Sequence, residues 1–154
     1  MTRILMVCLG NICRSPLAEG IMRKNIEENG LNAQVDSAGT SNYHLGHSPD
    51  PRSIESGQKH GIDITNLRGR QFGVEDFDNF DLIYVMDNSN YKNVLSLARG
   101  EDDKAKVELL LNVSNPDQFL EVPDPYFGGE QGFENVYHMI DEACAQIAKN
   151  VQNG

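Results

Sequence analysis

The chain has 154 residues, 39% of them hydrophobic and 23% charged, which suits one globular domain with a self-sufficient core. Its formal charge of −10 disfavours nucleic acid and anionic membranes as partners, and no run of about 18 apolar residues predicts a membrane helix. Three cysteines argue against a disulfide framework, and neither they nor the four histidines show zinc-ligand spacing, so no metal or other cofactor is expected. No signal-peptide pattern follows Arg3, and a reducing, cytoplasmic setting is the expectation.

Residues 4–7, apolar and partly β-branched, predict a first buried strand. It runs into Cys8-Leu9-Gly10-Asn11-Ile12-Cys13-Arg14, after which Ser15 reads as an N-cap and Pro16 as a first helical residue. The helix extends to about residue 29, with Leu17, Ile21, Met22 and Ile26 on one face and Gly30 as its stop. A short strand follows at 33–37. Asp50-Pro51 opens a second helix that ends near Gly61. Residues 81–86 predict a third strand, 88–99 a helix stopped by Gly100, and 106–111 a fourth strand. The last helix carries Phe133, Val136, Tyr137, Ile140, Ala143, Cys144, Ile147, Ala148 and Val151 as an apolar stripe.

Strands separated by helices predict right-handed crossovers and a three-layer α/β fold. Four parallel strands would lie between helices, in one domain spanning residues 1–154. Ligands bind beyond the carboxyl ends of the strands in such sheets, and the loop at Cys8 starts at such an end. Two long loops, 39–49 and 115–132, are further functional candidates.

The Cys8 loop joins a thiol, a run of backbone amides, a helix N-terminus and the Arg14 guanidinium. Amides and a helix N-terminus form an oxyanion cradle, and a cation with helix dipole favours the thiolate form of a cysteine. Arg14 offers two parallel donors to a phosphoryl group, and Ser15 can donate its hydroxyl to the Cys8 sulfur. The amides of Leu9, Gly10, Asn11, Ile12, Cys13, Arg14 and Ser15 are the predicted phosphate ligands. The stretch 44–70 gathers His44, His47, Arg52, Lys59, His60, Arg68 and Arg70 with few acids, and is expected to make the site locally positive. Cys13 shares the tight loop with Cys8, and oxidation is expected to join them in a reversible disulfide. Cys144, on the last helix's stripe, reads as core.

The segment Cys8-Leu9-Gly10-Asn11-Ile12-Cys13-Arg14-Ser15-Pro16 resembles the signature of the low-molecular-weight protein tyrosine phosphatases. The resemblance continues in Asp36-Ser37-Ala38-Gly39-Thr40, Ser48-Pro49-Asp50-Pro51-Arg52, Met86-Asp87-Asn88-Ser89-Asn90 and Asp124-Pro125-Tyr126, covering nearly the whole chain in order. It implies a metal-independent hydrolase in which Cys8 is the nucleophile, Arg14 the oxyanion clamp and Asp124 the general acid. It also implies loop support from Asn11, Ser37 and His60, and substrate walls from Tyr43, Tyr126 and Phe127. The family often has tyrosine where Phe127 stands. The implied substrate is a phosphotyrosine-containing protein or a small aryl phosphate, and the product inorganic phosphate; a monomer is expected. Arsenate reductases share the loop but need further cysteines after the third strand, and residues 87–100 contain none. A non-catalytic anion-binding module is the other alternative.

Overall fold

The computed structural model describes residues 1–154, with the side chain of Phe127 outside the described residues. The elements are β1 (Thr2–Cys8), α1 (Arg14–Glu28), β2 (Ala33–Gly39), α2 (Pro51–Lys59), α3 (Asp76–Asn79), β3 (Leu82–Val85), α4 (Asn88–Leu95), α5 (Glu101–Ala105), β4 (Val107–Leu109), α6 (Leu110–Ser114) and α7 (Gly129–Asn153). A 3-10 turn at Pro125–Phe127 precedes α7. No helix is long and apolar enough to cross a membrane.

The four strands are parallel, in the order β2-β1-β3-β4. β1 is therefore paired on both sides, with Cys8 opposite Gly39 and Val7 opposite Val85. Alternation along β1 sorts its side chains between two cores. Ile4, Met6 and Cys8 face a cluster with Leu17, Ile21, Ile140, Cys144 and Ile147 of α1 and α7. Leu5 and Val7 face the opposite cluster with Phe72, Phe77, Ile83, Val85 and Val94. Burial on both faces explains the unbroken apolar run of β1. The α7 stripe is buried from Phe133 to Ala148, and each fully buried Ile there stabilises the fold by about 2 kcal/mol through removal from water.

The expected elements are present with shifted ends. β2 continues to Gly39, α4 stops at Leu95, and β4 has only three residues because α6 begins at Leu110. The short helices α3, α5 and α6 escape a periodicity reading because one turn shows no repeat. One shift bears on the site. α1 begins at Arg14 with Cys13 as its capping position and no side-chain cap bond, so Ser15 is not an N-cap but lies inside the first turn. Its hydroxyl is thereby freed to face the sulfur of Cys8.

Candidate active site

The segment from Leu9 to Cys13 crosses the carboxyl edge of the sheet between β1 and α1. Its carbonyls are turned outward. Cys8 O, Leu9 O and Ile12 O accept from the amides of Thr40, Ser41 and Asp50 at 2.9, 2.9 and 2.7 Å. Among the described residues, none of the amides of residues 9–13 donates to a protein acceptor. Backbone donors rarely go unpaired in a folded chain, so a run of five unpaired N–H groups around a helix start marks an anion cradle.

Closing the loop requires Asn11 at φ 54°, the left-handed region that asparagine tolerates. Its side chain fixes that conformation from both ends. Nδ2 donates to Ser15 Oγ at 2.8 Å and to Ser37 Oγ at 2.9 Å, while Oδ1 accepts from the Arg70 amide at 3.0 Å. Ser37 donates in turn to Glu19 Oε1 at 2.6 Å, and Arg23 pairs with the other Glu19 oxygen. Burial raises the Glu19 carboxyl above its ordinary range, against the hydrogen bonds from Ser37 and Arg23. The Ser15 oxygen accepts from Asn11, so its own proton is free to point at Cys8 Sγ, 3.0 Å away. Gly39 completes the support. A Cβ there would lie 2.8 Å from Leu9 O and 3.0 Å from Asn11 N, so only glycine lets β2 end against the loop.

Arg14 is 6% exposed. Its Nη1 donates to Asp87 Oδ2 and to the Val122 carbonyl, each at 2.9 Å. Among the described residues its Nε and Nη2 have no protein partner, which leaves the pair that grips two phosphate oxygens in parallel. Burial works against the charge of Arg14, but Cys8, Asp87 and Asp124 more than offset it and raise its affinity for the proton. Asp87 has two tasks, because its Oδ1 also caps α4 by accepting from the Asn90 amide at 2.8 Å.

Val122 links Arg14 to the acid loop. Its amide donates to Met86 O at 2.8 Å, anchoring the loop at the end of β3. Asp124 stands two residues further, within about 7 Å of chain. Asp124 is exposed, its Oδ1 accepting from the Tyr126 amide at 3.0 Å, and its charge is felt by both Arg14 and Cys13. The structure therefore brings Cys8, Arg14 and the base of the Asp124 loop to one end of the sheet.

The two thiols of the loop differ. Cys8 lies beside the Ser15 hydroxyl, whereas burial pushes the Cys13 thiol up to about 12 despite a 3.3 Å hydrogen bond from Ser53. Cys13 thus remains protonated at neutral pH and is unsuited to attack phosphorus. Burial also raises Cys144, fully enclosed between α7 and α1.

Two expectations require correction. His60 does not support the loop. It caps α2, and its Nε2 lies 2.9 Å from Glu134 Oε1 on α7. Asn11 and Ser37 do support it, joined by Glu19 and by the Arg70 backbone amide, roles that sequence spacing does not reveal. The basic stretch 44–70 is also largely neutralised by local partners. Arg52 pairs with Asp50, Lys59 with Glu55 and Glu130, and Arg70 with Asp36 and Asp76. The positive character of the site comes from Arg14 and the amides.

The expected walls sit on loops that touch the cradle. Tyr43 is 78% exposed, next to His44, whose ring packs on Gly10. The Arg52 guanidinium lies 4.2 Å over the Tyr126 ring and 5.2 Å from that of Phe133, so Arg52 joins α2 to the acid loop. Phe127, the third expected wall, has its side chain outside the described residues.

A buried thiol at the start of a loop of unpaired amides, with a tethered guanidinium and a carboxyl-bearing loop joined to it, defines a cysteine-based phosphoryl-transfer site. The family model described as "Low molecular weight phosphotyrosine protein phosphatase" matches residues 3–154. A putative low molecular weight protein-tyrosine-phosphatase of Synechocystis sp. is 47% identical over 147 residues, 94% of this chain and 93% of that one. The human low molecular weight phosphotyrosine protein phosphatase is 41% identical over 144 residues, 92% and 90% of the two chains. A crystal structure of a protein tyrosine phosphatase from Entamoeba histolytica, with Hepes in its active site, superposes with a TM-score of 0.92. It is 38% identical, with 100% of this chain and 99% of that one covered. The chain belongs to the low molecular weight phosphotyrosine protein phosphatase family, and is a phosphate-monoester hydrolase.

Proposed function

We propose that Cys8 attacks the phosphorus of a phosphotyrosine side chain or a small aryl phosphate, and that Asp124 protonates the departing phenol. The observation that carries this reading is the run of unpaired amides that follows Cys8, joined to the free edge of Arg14. In the first step an S–P bond forms and the aryl P–O bond breaks, with the Asp124 proton passing to the phenolate oxygen. In the second, water attacks phosphorus and returns a proton to Asp124. The S–P bond breaks and inorganic phosphate leaves. Ser15 stabilises the sulfur as it departs. Arg14 and the amides of Leu9, Gly10, Asn11, Ile12, Cys13, Arg14 and Ser15 hold the equatorial oxygens in both steps, so the charge needs no metal or other cofactor.

Tyr43 and Tyr126, with Phe127, are assigned to the walls that receive the phenyl ring. Exposed aromatics at the rim suit a long aryl ester better than a short alkyl one. The charge of −10 opposes self-association and supports a monomer, and three free cysteines suit the reducing cytoplasm.

Asp124→Asn tests the acid role. The expected result is a roughly 10²–10³-fold fall in kcat/KM, which reports the phenol-releasing step, for phenyl phosphate, and a much smaller fall for p-nitrophenyl phosphate, whose anion leaves unassisted. Equal losses on the two esters would remove Asp124 from the proton transfer.

Cys13 is assigned the redox role. Mild peroxide oxidises the Cys8 sulfur to a sulfenic acid, and the Cys13 thiol, giving up its proton to the departing hydroxyl as it attacks, forms the disulfide and releases water. Peptide mass spectrometry is expected to find Cys8 joined to Cys13 and activity restored by thiol. Sulfonic acid on Cys8 with Cys13 untouched would exclude this role.

A further inference from the structure

On the α2–α7 seam, away from the sulfur, lies a cluster that phosphate chemistry does not use. His60, at the C-cap of α2, meets Glu134 and His138, one turn apart on α7. His60 Nε2 is 2.9 Å from Glu134 Oε1, and His138 Nε2 is 3.0 Å from that same oxygen. One ligand atom from each residue falls within 4.8 Å of the other two. From this juxtaposition we propose that His60, Glu134 and His138 form a binding site for a zinc-like divalent cation, with solvent as the fourth ligand.

Ligand atoms about 2.0–2.1 Å from a tetrahedral zinc stand roughly 3.3 Å apart. The two imidazole–carboxylate spacings, 2.9 and 3.0 Å, therefore need to open by only a few tenths of an ångström, while the imidazole nitrogens, within 4.8 Å of each other, close by at most about 1.5 Å through side-chain rotation. Two imidazoles and one carboxylate on three corners, with the last open to water, is a donor set that late divalent metals take and Mg²⁺ or Ca²⁺ do not. The rings are already aligned. His60 stacks on Tyr137 at 3.7 Å and 10°, and His138 stands edge-on to His60 at 5.6 Å and 81°. Glu134 and His138 stand at helical i,i+4 spacing, which places both on one face.

The surroundings are acidic. Glu28 and Asp141 share the adjoining hollow with Lys24 as the single basic group besides the imidazoles. Partial desolvation opposes the charge of Glu134, yet hydrogen bonds from His60 and the nearby His138 hold its carboxyl below the ordinary range. In the metal-free chain both rings turn Nε2 toward one carboxylate oxygen. Metal binding requires the Nε2 lone pairs instead, with each ring proton on Nδ1. The bound ion would pin the end of α2 to α7, elements 74 residues apart at His60 and Glu134.

Zn²⁺ titration by calorimetry tests the site, using the full chain with Cys8→Ser and Cys13→Ser so that the loop thiols do not compete. One Zn²⁺ per chain is expected, with affinity reduced at least about tenfold by His138→Gln and by Glu134→Gln. At a hundredfold excess over Kd the thermal midpoint rises by about 5 °C, and Mg²⁺ gives no rise. His138 is exposed, so His138→Gln should keep the metal-free midpoint of its parent, which separates loss of binding from loss of fold. Unchanged affinity in both variants, or no heat and no midpoint shift with Zn²⁺, would overturn the proposal.

Discussion

Serine in place of Cys8 is expected to lower turnover of p-nitrophenyl phosphate by about 10⁴-fold or more, while inorganic phosphate still binds. The two halves of the result come from different parts of the site. Binding rests on the loop amides and the free edge of Arg14, which the substitution leaves in place. Chemistry rests on the sulfur, a good nucleophile and leaving group that a hydroxyl at neutral pH cannot replace. The Ser15 and Asn11 side chains would keep their hydrogen bond, so the loop should hold its shape. Steady-state kinetics with phosphate-binding calorimetry on one preparation checks both halves. Turnover within tenfold of the parent would transfer the nucleophile's role to another group.

The second large effect is expected for Arg14→Lys, a fall in kcat of about 10³-fold. Arg14 serves two partners at once. One nitrogen is committed to Asp87 and the Val122 carbonyl, and the other edge remains for substrate. Lysine keeps the charge, but its three donors spring from one point, so it cannot span the tether and also grip two phosphate oxygens in parallel. Loss of the Val122 contact would also release the base of the acid loop. Arg14→Lys should therefore widen the difference between phenyl and p-nitrophenyl esters, because a displaced Asp124 costs the poorer leaving group more. Kinetics on the two esters measure this directly. A loss confined to KM would show that Arg14 contributes equally to ground and transition states, and would contradict its assignment as the clamp.

Much of the site is legible in sequence because it is local. From Cys8 to Ser15 the spacing alone joins strand end, amide loop, cation and helix start, and Asn11 is the residue type that the left-handed turn requires. β1 and α7 are legible for a similar reason, since burial on both faces or along one stripe leaves a periodic trace. The stop of β4 and the three one-turn helices leave none. Ser15 shows the limit of local rules. A serine before a proline reads as a cap, but the helix starts one residue earlier and turns that hydroxyl onto the sulfur.

By itself, then, the sequence determined the fold class, the thiol, the guanidinium and the order of the helices and strands, because each depends on neighbours along the chain. Only the tertiary structure decided the partners. The strand order β2-β1-β3-β4 puts the end of β3 beside the end of β1, and so gives Arg14 to Asp87 across 73 positions. The same packing gives Asn11 to Ser37 and Arg70, and takes His60 from the loop to Glu134 and His138. Hydrogen bonds and charges act over a few ångströms of space, and residues far apart in sequence come within that range only once the sheet and helices have packed.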